Sequence, residues 1–198
     1  MPAKLSAHVQ QRFREVMEQG TAIPEPEWQY LIESVGVTIL PCDSMLFREG
    51  DIVRRLYFIA RGLLRLFWTN SNGREINSGF DYEDRFITDI ASFLTGVPAR
   101  FAIQALEDCE LLYLERATYE DLLTRHVCWE RLWRRQLETQ FVRKADKEFR
   151  IRTLTAQQRY RLLVNQASPL LERVPQYHLA SYLGIAPETL SRIRARNW

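Results

Sequence analysis

The sequence predicts an α+β fold, in which an antiparallel β-roll of jelly-roll type with flanking helices precedes a long helix and a small all-α C-terminal unit. Residues 37–114 are short runs rich in β-branched and aromatic residues, separated by turn residues. Residues 127–150 contain neither Gly nor Pro, which favours an unbroken helix. Residues 176–198 have the spacing of two short helices around Gly184. We therefore expect three regions, residues 1–126, 127–152 and 153–198.

Two short helices are expected ahead of the β-roll. Residues 5–19 and 27–35 show the helical spacing of apolar residues, and Pro26 and Glu27 suit the first turn of the second helix. The strands that follow are separated by turn residues that let a sheet bend and roll up. The clearest are Gly50, Gly62, Gly73, Gly79 and the cluster Asn70-Ser71-Asn72-Gly73.

The long helix carries an apolar stripe. Its members recur every four residues and are Trp133, Leu137, Phe141, Ala145 and Phe149. The stripe could pack against the protein's own β-roll, or it could pair with the same helix of a second copy. Because it runs through several helical turns, we favour the homodimer.

Composition excludes several classes of protein. Apolar residues make up 46% of the chain, but no apolar run approaches the roughly 20 residues that span a bilayer. The N-terminal segment has no apolar stretch of the export type, so we expect a cytoplasmic protein. Cys42, Cys109 and Cys128 are widely separated and include no CxxC pair, so we expect buried or half-buried thiols and neither a disulfide framework nor a zinc site.

Positive charge is concentrated at the C-terminal end. The chain has a net charge of only +2, yet residues 150–198 carry eight Arg against Glu172 and Glu188. A basic segment of this kind either forms a solvated face or binds a polyanion. Composition by itself does not decide between the two.

The C-terminal segment QYHLASYLGIAPETLSRIRARNW has the pattern of a helix-turn-helix. Ala180 is small where two steeply crossing helices touch, and Gly184 tolerates the left-handed geometry of the turn. The core between the helices is expected from Leu179, Leu183, Ile185, Leu190 and Ile193. The alternative is an ordinary helical hairpin with arginines on its wet surface.

The second helix of this pattern offers side chains suited to double-stranded DNA. Arg can read guanine in the major groove, Glu can accept from cytosine, and hydroxyl groups can bind phosphate. The candidate DNA-binding residues are Glu188, Thr189, Ser191, Arg192, Arg194 and Arg196.

The order of β-roll, long helix and helix-turn-helix resembles the bacterial Crp/Fnr family of transcription regulators, from about Pro24 onward. FREGDIVRRLYFIARGLLRLF is similar to the family's first strands, and PETLSRIR to the start of its recognition helix. VPQYHLASYLGIAPETLSRIR is similar to short members common in Bacteroidetes. The resemblance implies a cyclic nucleotide-binding-like roll, base contacts by Glu188 and Arg192, and RNA polymerase as a further partner.

The segment ITDIASFLTGVPARFA corresponds to the family's phosphate-binding cassette but departs from it. Thr88-Asp89 stands where the family has Gly-Glu, and Ala99-Arg100 stands where it has Arg-Ser. On a strand, a shift of the Arg by one position turns its side chain to the opposite face. Thr88, Asp89, Ile90, Ala99 and Arg100 are therefore the candidate effector residues. A different effector, or none, is favoured over cyclic AMP.

Two further departures concern cofactors and the C-terminal end. No cysteine cluster precedes the roll, so the family's iron–sulfur variant is not expected, and neither is haem. The chain stops at Trp198, so we expect the helix-turn-helix to lack the two-stranded wing that follows it in family members.

An enzyme of the cupin type is not expected. Such an enzyme needs several histidines projecting from strands to hold a metal. His8, His126 and His178 all lie outside residues 37–115, and His178 is expected at or near a helix surface.

The remaining alternative is a non-DNA regulatory module with a vestigial helix-turn-helix. The preferred hypothesis is a homodimer that places two recognition helices on a near-palindromic operator and is modulated by a small-molecule effector.

Overall fold

A computed structural model of the chain describes residues 5–195, without the side chains of residues 166–169. Helices α1 (Ala7–Met17) and α2 (Glu25–Ser34) come first, as the sequence predicts. Ser6 caps α1, because its hydroxyl accepts a hydrogen bond from the Val9 N–H at 3.3 Å. The helix then buries its apolar stripe of Val9, Phe13 and Met17.

Eight strands follow within the described residues, and they form two four-stranded sheets. They are β1 (Gly36–Leu40), β2 (Met45–Phe47), β3 (Arg55–Arg61), β4 (Leu63–Thr69), β5 (Glu75–Tyr82), β6 (Phe86–Ile87), β7 (Ala102–Ala105) and β8 (Cys109–Glu115). The sheet orders are β1-β8-β3-β6 and β2-β7-β4-β5. β8 runs antiparallel to both β1 and β3. This arrangement confirms the predicted antiparallel β-roll and the α+β class.

A single residue, Gly62, joins β3 to β4. Its φ of +109° lies in a region that side chains rarely adopt. A Cβ at this position would lie 2.5 Å from the Cys109 Sγ and 2.8 Å from the Cys109 Cα. Glycine is therefore required here both by the backbone conformation and by the close approach of β8.

Helices make up the rest of the chain. A short helix, α3 (Ile90–Thr95), lies between β6 and β7. After β8 come α4 (Arg116–Arg125), α5 (Val127–Thr153), α6 (Ala156–Arg173), α7 (Gln176–Leu183) and α8 (Pro187–Ala195). The long helix α5 matches its predicted range closely. No helix among the described residues is long and apolar enough to cross a membrane.

The chain divides into two compact units. The first contains residues 1–65 and 80–138, and the second contains residues 66–79 and 139–198. We call residues 66–79 the hairpin segment, since they include the turn between β4 and β5. The sequence does not indicate that this segment groups with the C-terminal helices. The predicted division into an effector domain, a long dimerisation helix and a DNA-binding domain remains a prediction.

Aromatic residues dominate the core of the first unit. Trp28 and Trp129 are 2% and 0% exposed. Phe13 packs against Phe58 with ring centroids 4.9 Å apart. Burial of each large side chain contributes about 1.5–3 kcal/mol. The lead-in helices and the start of α5 are thereby part of the same core as the β-roll.

Candidate nucleic-acid interface and effector cassette

Helices α7 and α8 pack through a small apolar core and meet at a tight turn. Three of the five predicted core residues, Leu179, Leu183 and Leu190, are at most 1% exposed, as is Ala180 at the predicted helix contact. The other two, Ile185 and Ile193, are half-buried. Gly184 ends α7 with a φ of +67°. In this conformation the Ile185 N–H reaches the Ala180 carbonyl at 3.0 Å, a C-terminal cap that favours glycine.

The polar side of α8 is open. Glu188, Ser191 and Arg192 are exposed, and Thr189 and Arg194 are half-buried. The Arg192 guanidinium donates to the Thr189 hydroxyl at 3.2 Å, one turn earlier on the same helix. Among the described residues, neither Arg192 nor Arg194 forms an ion pair with a carboxylate. Arg196, the last predicted DNA-binding residue, lies outside the described residues.

Helix α6 supports α7 from its own capped start. Thr155 and Gln158 form a reciprocal capping box at the N-terminus of α6. One turn into the helix, the Arg159 guanidinium donates to the Leu183 carbonyl at 2.8 Å. That carbonyl belongs to the last turn of α7, where backbone acceptors lack a helical partner. The bond fixes the end of α7 just before the turn into α8.

The hairpin segment also contacts α7 within the second unit. Asn77 is 4% exposed and His178 is 6% exposed, and their side chains lie 3.1 Å apart. Ser181 bonds the backbone of the hairpin segment as well. Sequence reasoning expected His178 at or near a surface and did not single out Asn77 or Ser181. Their role becomes visible only in the folded structure, because their spacing in the sequence matches no motif.

The apolar stripe of α5 has two parts. Trp133 is 6% exposed and belongs to the core of the first unit. Farther along, Leu137, Phe141 and Phe149 are 42%, 75% and 64% exposed. Packing against the protein's own core thus accounts for Trp133. The rest of the stripe, from Leu137 onward, is an exposed apolar face. Ion pairs within α5 include Arg134–Glu138, Asp146–Arg150 and Glu148–Arg152.

The carboxylate of Asp89, in the candidate effector cassette, accepts hydrogen bonds from backbone N–H groups of the same segment. Asp89 is 4% exposed, and one of its oxygens accepts from the Ser92 N–H at 3.1 Å as the N-cap of α3. The other oxygen accepts from the Arg100 N–H at 3.2 Å. The neighbouring Thr88 hydroxyl donates to the Arg55 carbonyl at 2.9 Å. Asp89 is therefore a structural cap that ties α3 to the start of the next segment.

The other cassette positions do not form a phosphate site. Ile90, the first residue of α3, is an exposed apolar side chain. Ala99 is 3% exposed, and its N–H and carbonyl are bonded to Asp51 and Gly50, each at 2.8 Å. The Arg100 side chain is exposed. With Asp89 committed to backbone groups, these residues do not fit the ribose and phosphate of a cyclic nucleotide.

The described residues also contain no group of three or more His, Cys, Asp or Glu side chains that could hold a metal ion. Of the three thiols, Cys109 and Cys128 are buried and Cys42 is exposed. Burial raises the pKa of Cys109 to about 11.

Comparison with known proteins identifies the roll. Residues 38–126 match the model of the cyclic nucleotide-binding domain. A curated relative, the cyclic AMP receptor protein of Thermus thermophilus, is 29% identical over 166 residues, which cover 78% of this chain and 73% of that protein.

Solved structures extend the likeness beyond the roll. The catabolite activator protein of Thermus thermophilus is 24% identical, with a TM-score of 0.58 over 91% of this chain and 85% of that one. FixK2 of Bradyrhizobium japonicum is 20% identical, with a TM-score of 0.66 over 82% and 83%. The c-di-GMP responsive global regulator CLP of Xanthomonas campestris is 17% identical, with a TM-score of 0.64 over 88% and 91%. Residues 38–126 therefore form a cyclic nucleotide-binding domain, and the chain is similar in sequence and fold to these proteins, as the resemblance to the Crp/Fnr family predicts.

Proposed function

We propose that this protein regulates transcription by binding double-stranded DNA, with α7 and α8 as a helix-turn-helix and α8 as the recognition helix. The observation that carries the proposal is the open polar face of α8. There Glu188 and Arg192 project one turn apart from a helix whose opposite side is anchored by Leu190. This spacing lets both side chains reach base edges in a major groove. Such a regulator acts in the cytoplasm and needs no enzymatic activity.

The proposed active form is a homodimer joined along α5. Phe141 and Phe149 lie two helical turns apart and are mostly exposed. Leaving two such rings in water forgoes about 1.5–3 kcal/mol for each. The same face of a second copy would cover them in a symmetric, self-complementary contact. Two recognition helices would then meet half-sites of a near-palindromic operator, about 34 Å apart.

We further propose that the β-roll senses a signal other than a cyclic nucleotide. Asp89, the acidic residue available at the cassette position, has both carboxylate oxygens bonded to backbone N–H groups. Binding cyclic AMP there would require breaking the cap of α3. An effector that modulates DNA binding must have different affinities for the two states of the protein.

Selection of genomic DNA fragments by the purified full chain tests the proposed function. The selection is run at two salt concentrations, with and without cyclic AMP. We expect enrichment of a near-palindromic sequence that weakens with salt, because phosphate contacts release counterions, and no effect of cyclic AMP. Enrichment only with cyclic AMP would overturn the interpretation of the cassette. Absence of enrichment under every condition would favour the alternative of a non-DNA regulatory module.

A further inference from the structure

The exposed backbone edge of the hairpin segment is bonded by a side chain of α7. β5 is the edge strand of its sheet, so backbone groups on its outer side lack a strand partner. The Asn77 N–H donates to the Ser181 hydroxyl at 3.0 Å. The same hydroxyl donates to the Glu75 carbonyl at 3.4 Å. One serine therefore bonds two backbone groups of the edge, as a neighbouring strand would.

Beside this contact, the geometry of Asn77 fixes the protonation state of His178. The Asn77 Nδ2 lies 3.1 Å from the His178 Nδ1 and 3.3 Å from the His178 backbone carbonyl oxygen. A carbonyl oxygen can only accept, so the amide nitrogen, with its two hydrogens, must be the atom on this side. His178 Nδ1 must then accept as well. The ring that fits this contact is therefore the neutral imidazole with its proton on Nε2.

Protonation of His178 costs this contact at least one hydrogen bond. An imidazolium carries hydrogens on both ring nitrogens, so Nδ1–H would face the Asn77 amide hydrogens. If the amide turned over, its oxygen would accept from Nδ1–H but would face the His178 carbonyl oxygen, which also only accepts. Both side chains are nearly buried, and water cannot easily replace the lost bond. Adding a proton therefore opposes the contact between β5 and α7.

The surrounding charges also favour the neutral ring. Lys147 of α5 donates to the Ser78 hydroxyl at 3.0 Å and to the Ser78 carbonyl, next to Asn77. The Tyr177 ring lies 4.1 Å from the His178 ring, centroid to centroid. Other charged and titratable groups on α7 and on the elements packed against it include Arg74 and Glu75 of the hairpin segment, Lys147 and Arg150 of α5, Arg159 of α6, Tyr177 and Tyr182 of α7, and Glu188 and Arg192 of α8.

We propose that Asn77 is a positioning residue for the recognition helix, and that it acts through neutral His178 as a pH-sensitive latch. While His178 is neutral, Asn77 and Ser181 hold α7, and α7 holds α8 through their shared core. Protonation of His178 opens the latch and weakens the positioning of α8. The DNA-binding consequence rests on the proposed function, whereas the latch itself does not.

Hydrogen–deuterium exchange of the DNA-free full chain tests the latch directly. Protection of peptides from the hairpin segment and α7, corrected for intrinsic exchange rates, is compared at about pH 8 and about pH 5.5, the interval in which histidine changes charge. We expect protection to fall about tenfold at the lower pH, the effect of losing one buried hydrogen bond. Equal protection at both values would overturn the latch.

Three variants separate titration of His178 from general loss of structure. In His178→Asn, the side-chain oxygen takes the place of Nδ1 and accepts without titrating, so protection should be high at both pH values. In Asn77→Asp, a carboxylate prefers a protonated partner, so the pH response should reverse. His8→Asn removes an exposed histidine and should behave as wild type. A wild-type pH response in both His178→Asn and Asn77→Asp would contradict the proposal.

DNA affinity of the same variants tests the positioning role. With a selected operator, we expect the DNA affinity of the wild-type protein to fall about tenfold between about pH 8 and about pH 5.5. His8→Asn should show the same fall, whereas the DNA affinity of His178→Asn should not change with pH. If hydrogen exchange depends on pH but the DNA affinity of the wild-type protein does not, the positioning role is overturned. No DNA binding at any pH, with the exchange result intact, would refute the proposed function and leave the latch standing.

Discussion

At the scale of single residues, Asp89 shows how one carboxylate can have a structural role at a position that the family resemblance assigns to a ligand. The family resemblance places Asp89 where the phosphate-binding cassette of the family has Glu. In the fold, its two oxygens accept from the Ser92 and Arg100 N–H groups. An N-cap and a second buried bond to a charged group are each worth about 1 kcal/mol or more.

Substitutions at Asp89 separate the structural role from ligand binding. Asp89→Ala should lower the free energy of unfolding by about 2–3 kcal/mol, because two N–H groups lose their acceptor. Asp89→Asn keeps one acceptor oxygen and should cost about 1 kcal/mol. Urea denaturation checks both. Wild-type stability of Asp89→Ala would contradict the structural role.

Glu27 gives the first unit a pH-dependent contribution to stability. Its carboxylate accepts from the Trp129 indole N–H at 2.8 Å and from Arg125 at 3.4 Å. The bond from Trp129, with the smaller help of Arg125, lowers the pKa of Glu27. A carboxyl whose pKa is lower in the folded state stabilises the fold above its unfolded pKa. The contribution is lost as pH falls through the folded value.

Glu27→Gln should therefore be destabilising at neutral pH and less so in acid. We expect a loss of about 1–2 kcal/mol at pH 7, narrowing below about pH 4 as the wild-type carboxyl is protonated. Thermal unfolding over a pH series measures the difference. Glu120→Gln, at an exposed ion pair with Arg116, serves as the control and should change stability by less than about 0.5 kcal/mol. A loss for Glu27→Gln that is constant with pH would exclude the charge effect.

At the scale of elements, the proposed homodimer depends on the exposed apolar face of α5. Phe141→Glu places a charge in that face and should prevent dimerisation without unfolding the chain, because Phe141 is 75% exposed. Arg143 is two residues away and points to the opposite side of the helix, so Arg143→Glu is the matched control. Sedimentation velocity should give a monomer for the first and a dimer for the second. Two dimeric variants would place the interface elsewhere.

The elements differ in how well the sequence predicts them. Alternating β-rich runs predict the roll, and an unbroken helical stretch predicts α5, because both patterns are local and periodic. The grouping of the hairpin segment with the C-terminal helices depends on the contacts of Asn77 with His178 and Ser181, which no local pattern encodes. The second bond of Asp89 likewise depends on the N–H of Arg100, eleven residues later. The sequence does not predict which distant residue a single polar side chain contacts.

At the scale of the whole molecule, positive charge is concentrated in the C-terminal part of the chain, which includes α8. The net charge is near zero, but eight arginines lie in residues 150–198. Among them, Arg192 projects from α8 without a carboxylate partner in the described part of the chain. A field of this sign over one surface steers a polyanion toward it. Specificity must then come from the few side chains that reach base edges.

The proposed regulation of transcription depends most directly on α8 reading base sequence. The decisive measurement is selection from a random duplex library by the wild-type chain, by Arg192→Ala and by Arg134→Ala, the last a control on the exposed side of α5. We expect wild type and Arg134→Ala to select the same near-palindrome. Arg192→Ala should keep the half-site spacing but lose discrimination at one position in each half, worth about 1–3 kcal/mol. An unchanged preference for Arg192→Ala, or an equal loss of affinity on all sequences, would contradict the assignment of α8 as the recognition helix.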